Sequence, residues 1–222
     1  MTTNTYFPTT IVDNFFDDPL AIRRYALEQE YKKNPANYYP GKRTDILEKL
    51  NPDLADYVSG KILSIFYPGH YNFDKQTSST FQMVESIVGE GWVHKDLDDK
   101  LLTGIIYLSD DMPVGSGTSL YAPKQEGVSK CIHADKKVEY IDKDGQSAKE
   151  YRKENDSQFV ETITVENRFN RLMVFDAHLF HKAKGFVGTN KQNTRLTMVV
   201  FFRKIFSDAP DFRYPLQNMR RF

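Results

Sequence analysis

Thr194–Phe206 reads TRLTMVVFFRKIF, and after Arg195 it carries no further charge until Arg203. Such a run, rich in β-branched and aromatic side chains, predicts a long apolar strand. Shorter runs of the same texture begin at about Thr80: STFQMVES, GWVHKD, LLTGIIYLS, GTSLYAP, VETITVE and RLMVFDA. Turn signals separate them, which is the pattern of antiparallel strands in a sandwich or barrel. Seven such runs suffice for a jelly-roll core. The expected fold class is therefore mainly β with flanking α (α+β), a distorted double-stranded β-helix of jelly-roll or cupin-like kind.

Upstream the texture is helical. TTIVDNFF (residues 9–16) predicts a short strand, and DDPLAIRRYALEQEYKK then places two aspartates and Pro19 at a helix start, with an apolar face to about Lys33. NPANYYPGKRTD reads as loop, and ILEKLNPDLADYVSGKILSIFY as one or two further helices. The expected organisation is one domain over 1–222. Residues 1–79 form helical support, 80–206 the core with a polar insertion at about 124–157, and 207–222 a C-terminal tail. The insertion holds eight basic and eight acidic residues and reads as solvated surface, helical around AKEYRKE. Its place after GTSLY also admits a substrate lid.

Thirty basic residues balance thirty acidic ones among 222, so no global field draws in nucleic acid or an anionic membrane. The single cysteine, Cys131, excludes an internal disulfide. MTTNTYFPTT has neither a basic nor an apolar leader region, and no apolar run approaches a membrane span. These features predict a cytoplasmic protein.

The chemistry is expected in GWVHKD. On a strand, residues two apart share a face, so His94 and Asp96 can offer a ring nitrogen and a carboxylate oxygen to one ion. His181, where RLMVFDAHLFHKAKG leaves an apolar strand for a Gly-containing loop, is the best third ligand. Two histidines and one carboxylate leave positions open, as in non-haem Fe(II) oxygenases. A closed zinc site would want a fourth His or Cys. Iron of this type needs a reductant, commonly 2-oxoglutarate, whose far carboxylate requires a cation. Arg195 can grip it bidentately, and Thr197, two residues on, points the same way.

GEGWVHKD, GIIYLSDD, GSGTSLY, NRLMVFDAHLFH and RLT occur here in the order found in the Fe(II)/2-oxoglutarate-dependent dioxygenases. The chain resembles in particular their prolyl-4-hydroxylase-like branch, over about residues 80–203. VDNFFDDPLAIRRYAL and the GFVG loop (Gly185–Gly188) resemble a bacterial and phage group of that branch. The resemblance implies Fe(II), 2-oxoglutarate and O2 as cofactors and cosubstrates, with ascorbate as a stimulant. It also implies a Tyr107 hydrogen bond to the far carboxylate, and a cosubstrate pocket lined by Phe81 to Glu85, with Gln82 a polar contact. The expected substrate is a peptidyl residue, proline first, or a small molecule, with nucleic acid disfavoured. One departure stands out: His181 and Arg195 lie fourteen residues apart, a longer gap than in prolyl hydroxylases.

Competing readings attach to several of these residues. His178 rivals His181, Arg195 can instead pair with Asp176 at a barrel rim, and Tyr107 can be plain core. Trp92 reads as packing, while Cys131, His70 and His133 read as bystanders. At the level of function, the alternatives are a jelly-roll binding or structural module with a vestigial metal site, and a cupin-type metal-dependent hydrolase or isomerase. The latter needs no anchor for a dicarboxylate.

Overall fold

A computed structural model describes residues 5–33, 39–69, 73–89, 91–96, 99–125, 146–206 and 214–215. His70, Cys131 and His133, most of the insertion and most of the tail lie outside the described residues.

In chain order the elements are β1 (Thr5–Tyr6), β2 (Thr10–Val12), α1 (Pro19–Glu28), β3 (Lys32–Lys33), β4 (Lys42–Arg43), α2 (Leu47–Leu50), α3 (Pro52–Phe66) and β5 (Asp74–Val84). A single 3-10 turn (Ser86–Val88) follows. Then come β6 (Leu102–Tyr107), β7 (Gly117–Pro123), α4 (Gln146–Asp156), β8 (Phe159–Glu166), β9 (Leu172–Asp176), β10 (Phe180–Lys184), β11 (Arg195–Phe206) and β12 (Tyr214–Pro215). Helix starts are chemically marked. The Asp18 side chain accepts from the Ala21 N–H ahead of Pro19, and Asn51 accepts from Leu54 ahead of Pro52.

Seven strands form one antiparallel sheet in the order β2-β9-β6-β11-β5-β4-β3, and β10-β7-β8 form a second. In the first part of the tail, β12 pairs with β1. The long apolar run becomes β11, which pairs along β5 on one side and β6 on the other. Its alternate residues divide sharply. Leu196, Met198, Val200 and Phe202 are fully buried against Phe81, Leu102, Leu172 and the apolar faces of α1 and α3. Arg195, Thr197, Val199, Phe201 and Arg203 turn to the opposite face and line a cavity. A second cluster (Ile105, Tyr107, Leu120, Val165, Met173, Phe175) draws on both sheets. The mainly β, two-sheet jelly roll with flanking helices is thus the observed architecture.

Three boundaries differ from expectation. The first helix stops at Glu28 rather than near Lys33: Gln29 turns extended, its N–H bonds Ala26 O, and Tyr31 donates to the same carbonyl. In the segment read as loop, residues 34–38 lie outside the described residues, but Lys42–Arg43 pairs with Met83 and Gln82. Gly41 permits this approach, because at φ +73° a Cβ would stand 2.0 Å from the Met83 carbonyl oxygen. Finally, the residues after Leu179, expected to run into a loop, form β10 and place His181 inside a strand. The predicted helix in the insertion is α4. Among the described residues, no helix is long and apolar enough to cross a membrane.

Candidate metal centre

GWVHKD does not continue as a regular strand; it joins the second sheet through one antiparallel bridge. His94 N–H donates to His181 O at 3.0 Å and His181 N–H to His94 O at 2.8 Å, so the two imidazoles lie side by side with centroids 4.3 Å apart. Gly91 lets this segment lie against β10, since a Cβ there would come within 2.9 Å of Ala183 O. Asp96 N–H donates to Ala177 O, which turns its carboxylate toward the pair. One ligand atom from each of His94, Asp96 and His181 lies within 4.8 Å of the others, the spacing a single metal ion requires.

The ring tautomers are set by the backbone. Nδ1 of His94 faces Trp92 O at 3.0 Å, and Nδ1 of His181 faces Leu179 O at 2.9 Å. With Nδ1–H donating to these carbonyls, Nε2 of each ring keeps its lone pair for a metal. Thr103 Oγ1 donates to Asp96 Oδ2 and orients the carboxylate. Burial, with His181 adding, pushes His94 down to about 4, which favours the neutral ligand form. For Asp96, burial would raise the carboxyl, but His181, His94 and the Thr103 bond more than offset it and hold it below the ordinary carboxylate value.

A clamp behind the ligands comes from the end of the insertion. Asp156 accepts from Val93 N–H at 2.8 Å, and Asn155 donates to Val93 O at 2.9 Å. The same Asp156 carboxylate takes Lys182, the neighbour of His181, at 2.8 Å. One helix end therefore fixes the residues beside both histidines. The sequence offered no signal for this, because a polar helix end reads as solvated surface.

His178, the rival ligand, bonds Asp176 through both its N–H and Nδ1 at 2.9 Å. The other oxygen of Asp176 accepts from Phe7 N–H, so Asp176 is not the partner of Arg195. Trp92 packs with Val84, Val88 and Phe186.

The His94, Asp96, His181 cluster opens on a cavity of about 730 Å³ whose wall includes Arg195, Thr197, Gln82 and Thr118. Arg195 is 3% exposed and Thr197 fully buried, yet Nε and Nη2 of the one and Oγ1 of the other have no partner among the described residues. Burial lowers the guanidinium pKa, with the Tyr107 oxygen as its opposing neighbour. Two guanidinium donors and a hydroxyl without partners in one wall are a donor set that can receive a carboxylate. The fourteen-residue gap is made of the end of β10 and a loop over residues 185–194 that leaves Arg195 in register opposite Val84. Gly188 closes it, since at φ +74° a Cβ would clash with Asn193 O at 2.1 Å.

Tyr107 and Gln82 both have partners within the protein. Tyr107 is fully buried behind the wall and donates to Thr118 Oγ1 at 2.9 Å, so Thr118 presents the hydroxyl to the cavity. Gln82 lines the cavity, but its amide is engaged: Nε2 donates to Pro40 O, and Oε1 accepts from Arg43. Thr103 could have been found in the sequence from its alternation with Ile105 and Tyr107. Arg43, in a Pro- and Gly-rich stretch, could not.

The fold is shared with solved enzymes that bind or depend on 2-oxoglutarate. HygX from Streptomyces hygroscopicus, solved with nickel and 2-oxoglutarate bound, has a TM-score of 0.52 at 10% identity, over 88% of this chain and 82% of that one. SnoN, a non-heme alpha ketoglutarate dependent epimerase from nogalamycin biosynthesis, has 0.50 at 14% identity, over 88% and 78%. A Pseudomonas putida prolyl-4-hydroxylase has 0.48 at 16%, over 88% and 92%. At these identities the likeness is one of fold. The chain itself belongs to a family of unknown function (DUF6445), whose model matches residues 2–202. No curated protein matches the sequence.

Proposed function

We propose that this chain is a non-haem Fe(II)/2-oxoglutarate-dependent oxygenase of the cytoplasm, a hydroxylase acting on a peptidyl (prolyl) residue or a small molecule. The observation that carries this reading is a conjunction in one cavity: a His94, Asp96, His181 cluster and a buried arginine whose donors lack partners. Bound iron and 2-oxoglutarate supply the chemistry, coupling decarboxylation to succinate and CO2 with hydroxylation of a C–H bond by O2.

The protein's part is positioning. His94 and His181 would hold the ion through Nε2, and Asp96 through one carboxylate oxygen. Arg195, with Nε and Nη2 unpaired, would hold the far carboxylate of 2-oxoglutarate, and Thr197 would add a hydroxyl donor. Burial of that wall strengthens each of these contacts. Arg195 also separates this reading from a cupin-type hydrolase or isomerase, which has no use for a buried cation at that station.

Anaerobic addition of Fe(II) and then 2-oxoglutarate to the purified protein tests the proposal. A weak visible charge-transfer band of the chelate is expected in wild type, with loss of the band in Arg195→Ala at the same 2-oxoglutarate concentration. No band in wild type, or an undiminished one in Arg195→Ala, overturns it.

A further inference from the structure

The cavity carries more positive charge than a metal-bound 2-oxoglutarate uses. Among the described residues, Arg43, Lys95, Lys100, Arg195 and Arg203 line it, against Asp96 as the one lining carboxylate. A ferrous ion and the 2-oxoglutarate dianion cancel each other, and Arg195 is committed to the cosubstrate. Of the rest, Arg203 pairs with Asp99 at 3.4 Å, and Lys95 sits over the Phe180 ring.

Arg43 and Lys100 converge on Phe201, their charged groups 5.7 and 4.2 Å from its ring centroid. Arg43 is held by the Tyr39 ring at 4.0 Å and by Gln82. Lys100 has no ion pair among the described residues. Burial lowers its ammonium pKa most, and Arg43 and Arg203 push the same way against Asp96 and Asp99. This cationic station is distinct from Arg195. Phe201 lies six residues along β11 from Arg195, about 20 Å of extended strand, well beyond the reach of one five-carbon diacid. It stands beside the metal ligands instead: Phe201 pairs with Thr103, the residue that orients Asp96.

We infer that the substrate is an organic anion whose carboxylate or phosphate sits between Arg43 and Lys100 beside Phe201, with the carbon to be oxidised held toward the His94, Asp96, His181 cluster. This rests on the oxygenase reading of the same cavity. It also explains how a chain of zero net charge selects a charged substrate, because the field is local and low-dielectric walls focus it.

Calorimetric titration of the Ni(II)- and 2-oxoglutarate-loaded protein tests this, using benzoate, phenyl phosphate and neutral benzamide as probes. At least one anion should bind about tenfold more tightly than benzamide, and Lys100→Met and Arg43→Gln should each remove about that preference. Lys100→Arg should retain it. In all three variants 2-oxoglutarate affinity should stay within about twofold of wild type, which also reports an intact fold. Stronger binding of benzoate assigns a carboxylate, and of phenyl phosphate a phosphate. If 2-oxoglutarate binds but benzamide matches both anions, or if Lys100→Met binds the anions as wild type does, the inference is overturned while the oxygenase reading stands. If neither Ni(II) nor 2-oxoglutarate binds, the oxygenase reading fails and this one falls with it.

Discussion

The two faces of the seven-stranded sheet share their strands but follow opposite rules. On the helix side, Leu196, Met198, Val200 and Phe202 are sealed into one apolar cluster, and polar groups find partners: Glu48 of α2 accepts from Thr77, Ser79 N–H and Ser79 Oγ. On the cavity side, one residue out of step, Arg195 and Thr197 are as deeply buried and have donors left over. Buried polar groups are ordinarily paired, and leaving them unpaired costs stability. The difference teaches that one face spends its side chains on holding the fold together, while the other keeps donors that a ligand can use.

That contrast can be broken by exchanging the consequences of mutation between faces. Leu196→Ala, on the sealed side, should cost about 2–5 kcal/mol of unfolding free energy by cavity formation. Metal affinity should be unchanged wherever the variant is folded, as urea unfolding and Ni(II) titration in parallel will show. Asp156→Ala should do the reverse. It removes the carboxylate that holds Val93 N–H and Lys182 Nζ behind the histidines, so metal affinity should fall about 10- to 100-fold, in the range typical of groups that orient ligands. Metal titration reads this, and equal affinity in the variant would show that the clamp only braces the surface. The smallest effect is the most diagnostic. Arg195→Met should leave the ligand-free protein as stable as wild type or stabilise it by about 1 kcal/mol, because a buried guanidinium with unpaired donors is replaced by a side chain that needs no partners. A destabilised Arg195→Met in urea unfolding would place Arg195 among structural residues.

Much of this was legible in the sequence, for reasons particular to each residue. Strand alternation puts His94 with Asp96, and Arg195 with Thr197, on common faces whatever the surrounding topology. The apolar runs fixed most strands because burial demands such side chains. Strand β10 was hidden because FHKAK is no apolar run: Lys182 is buried there with its ammonium group held by Asp156. The same holds for the clamp on Val93, made by residues more than sixty positions away, and for Arg43, carried by a two-residue strand whose place depends on Gly41 meeting Met83. Tyr107 lay between the two cases. Its alternation with Thr103 and Ile105 gave the correct face, but only the packing showed it one layer behind the wall, passing its hydrogen bond to Thr118.

The central claim is that the unpaired donors of the cavity face await the far carboxylate of a metal-bound 2-oxoglutarate. Calorimetric titration of 2-oxoglutarate into Ni(II)-loaded wild type and Arg195→Met tests it most directly. The expected result is saturable binding in wild type that depends on the metal, and an affinity lower by at least about 30-fold in the variant, the cost of losing one partner of a buried charged pair. Equal affinity in the two proteins would contradict it.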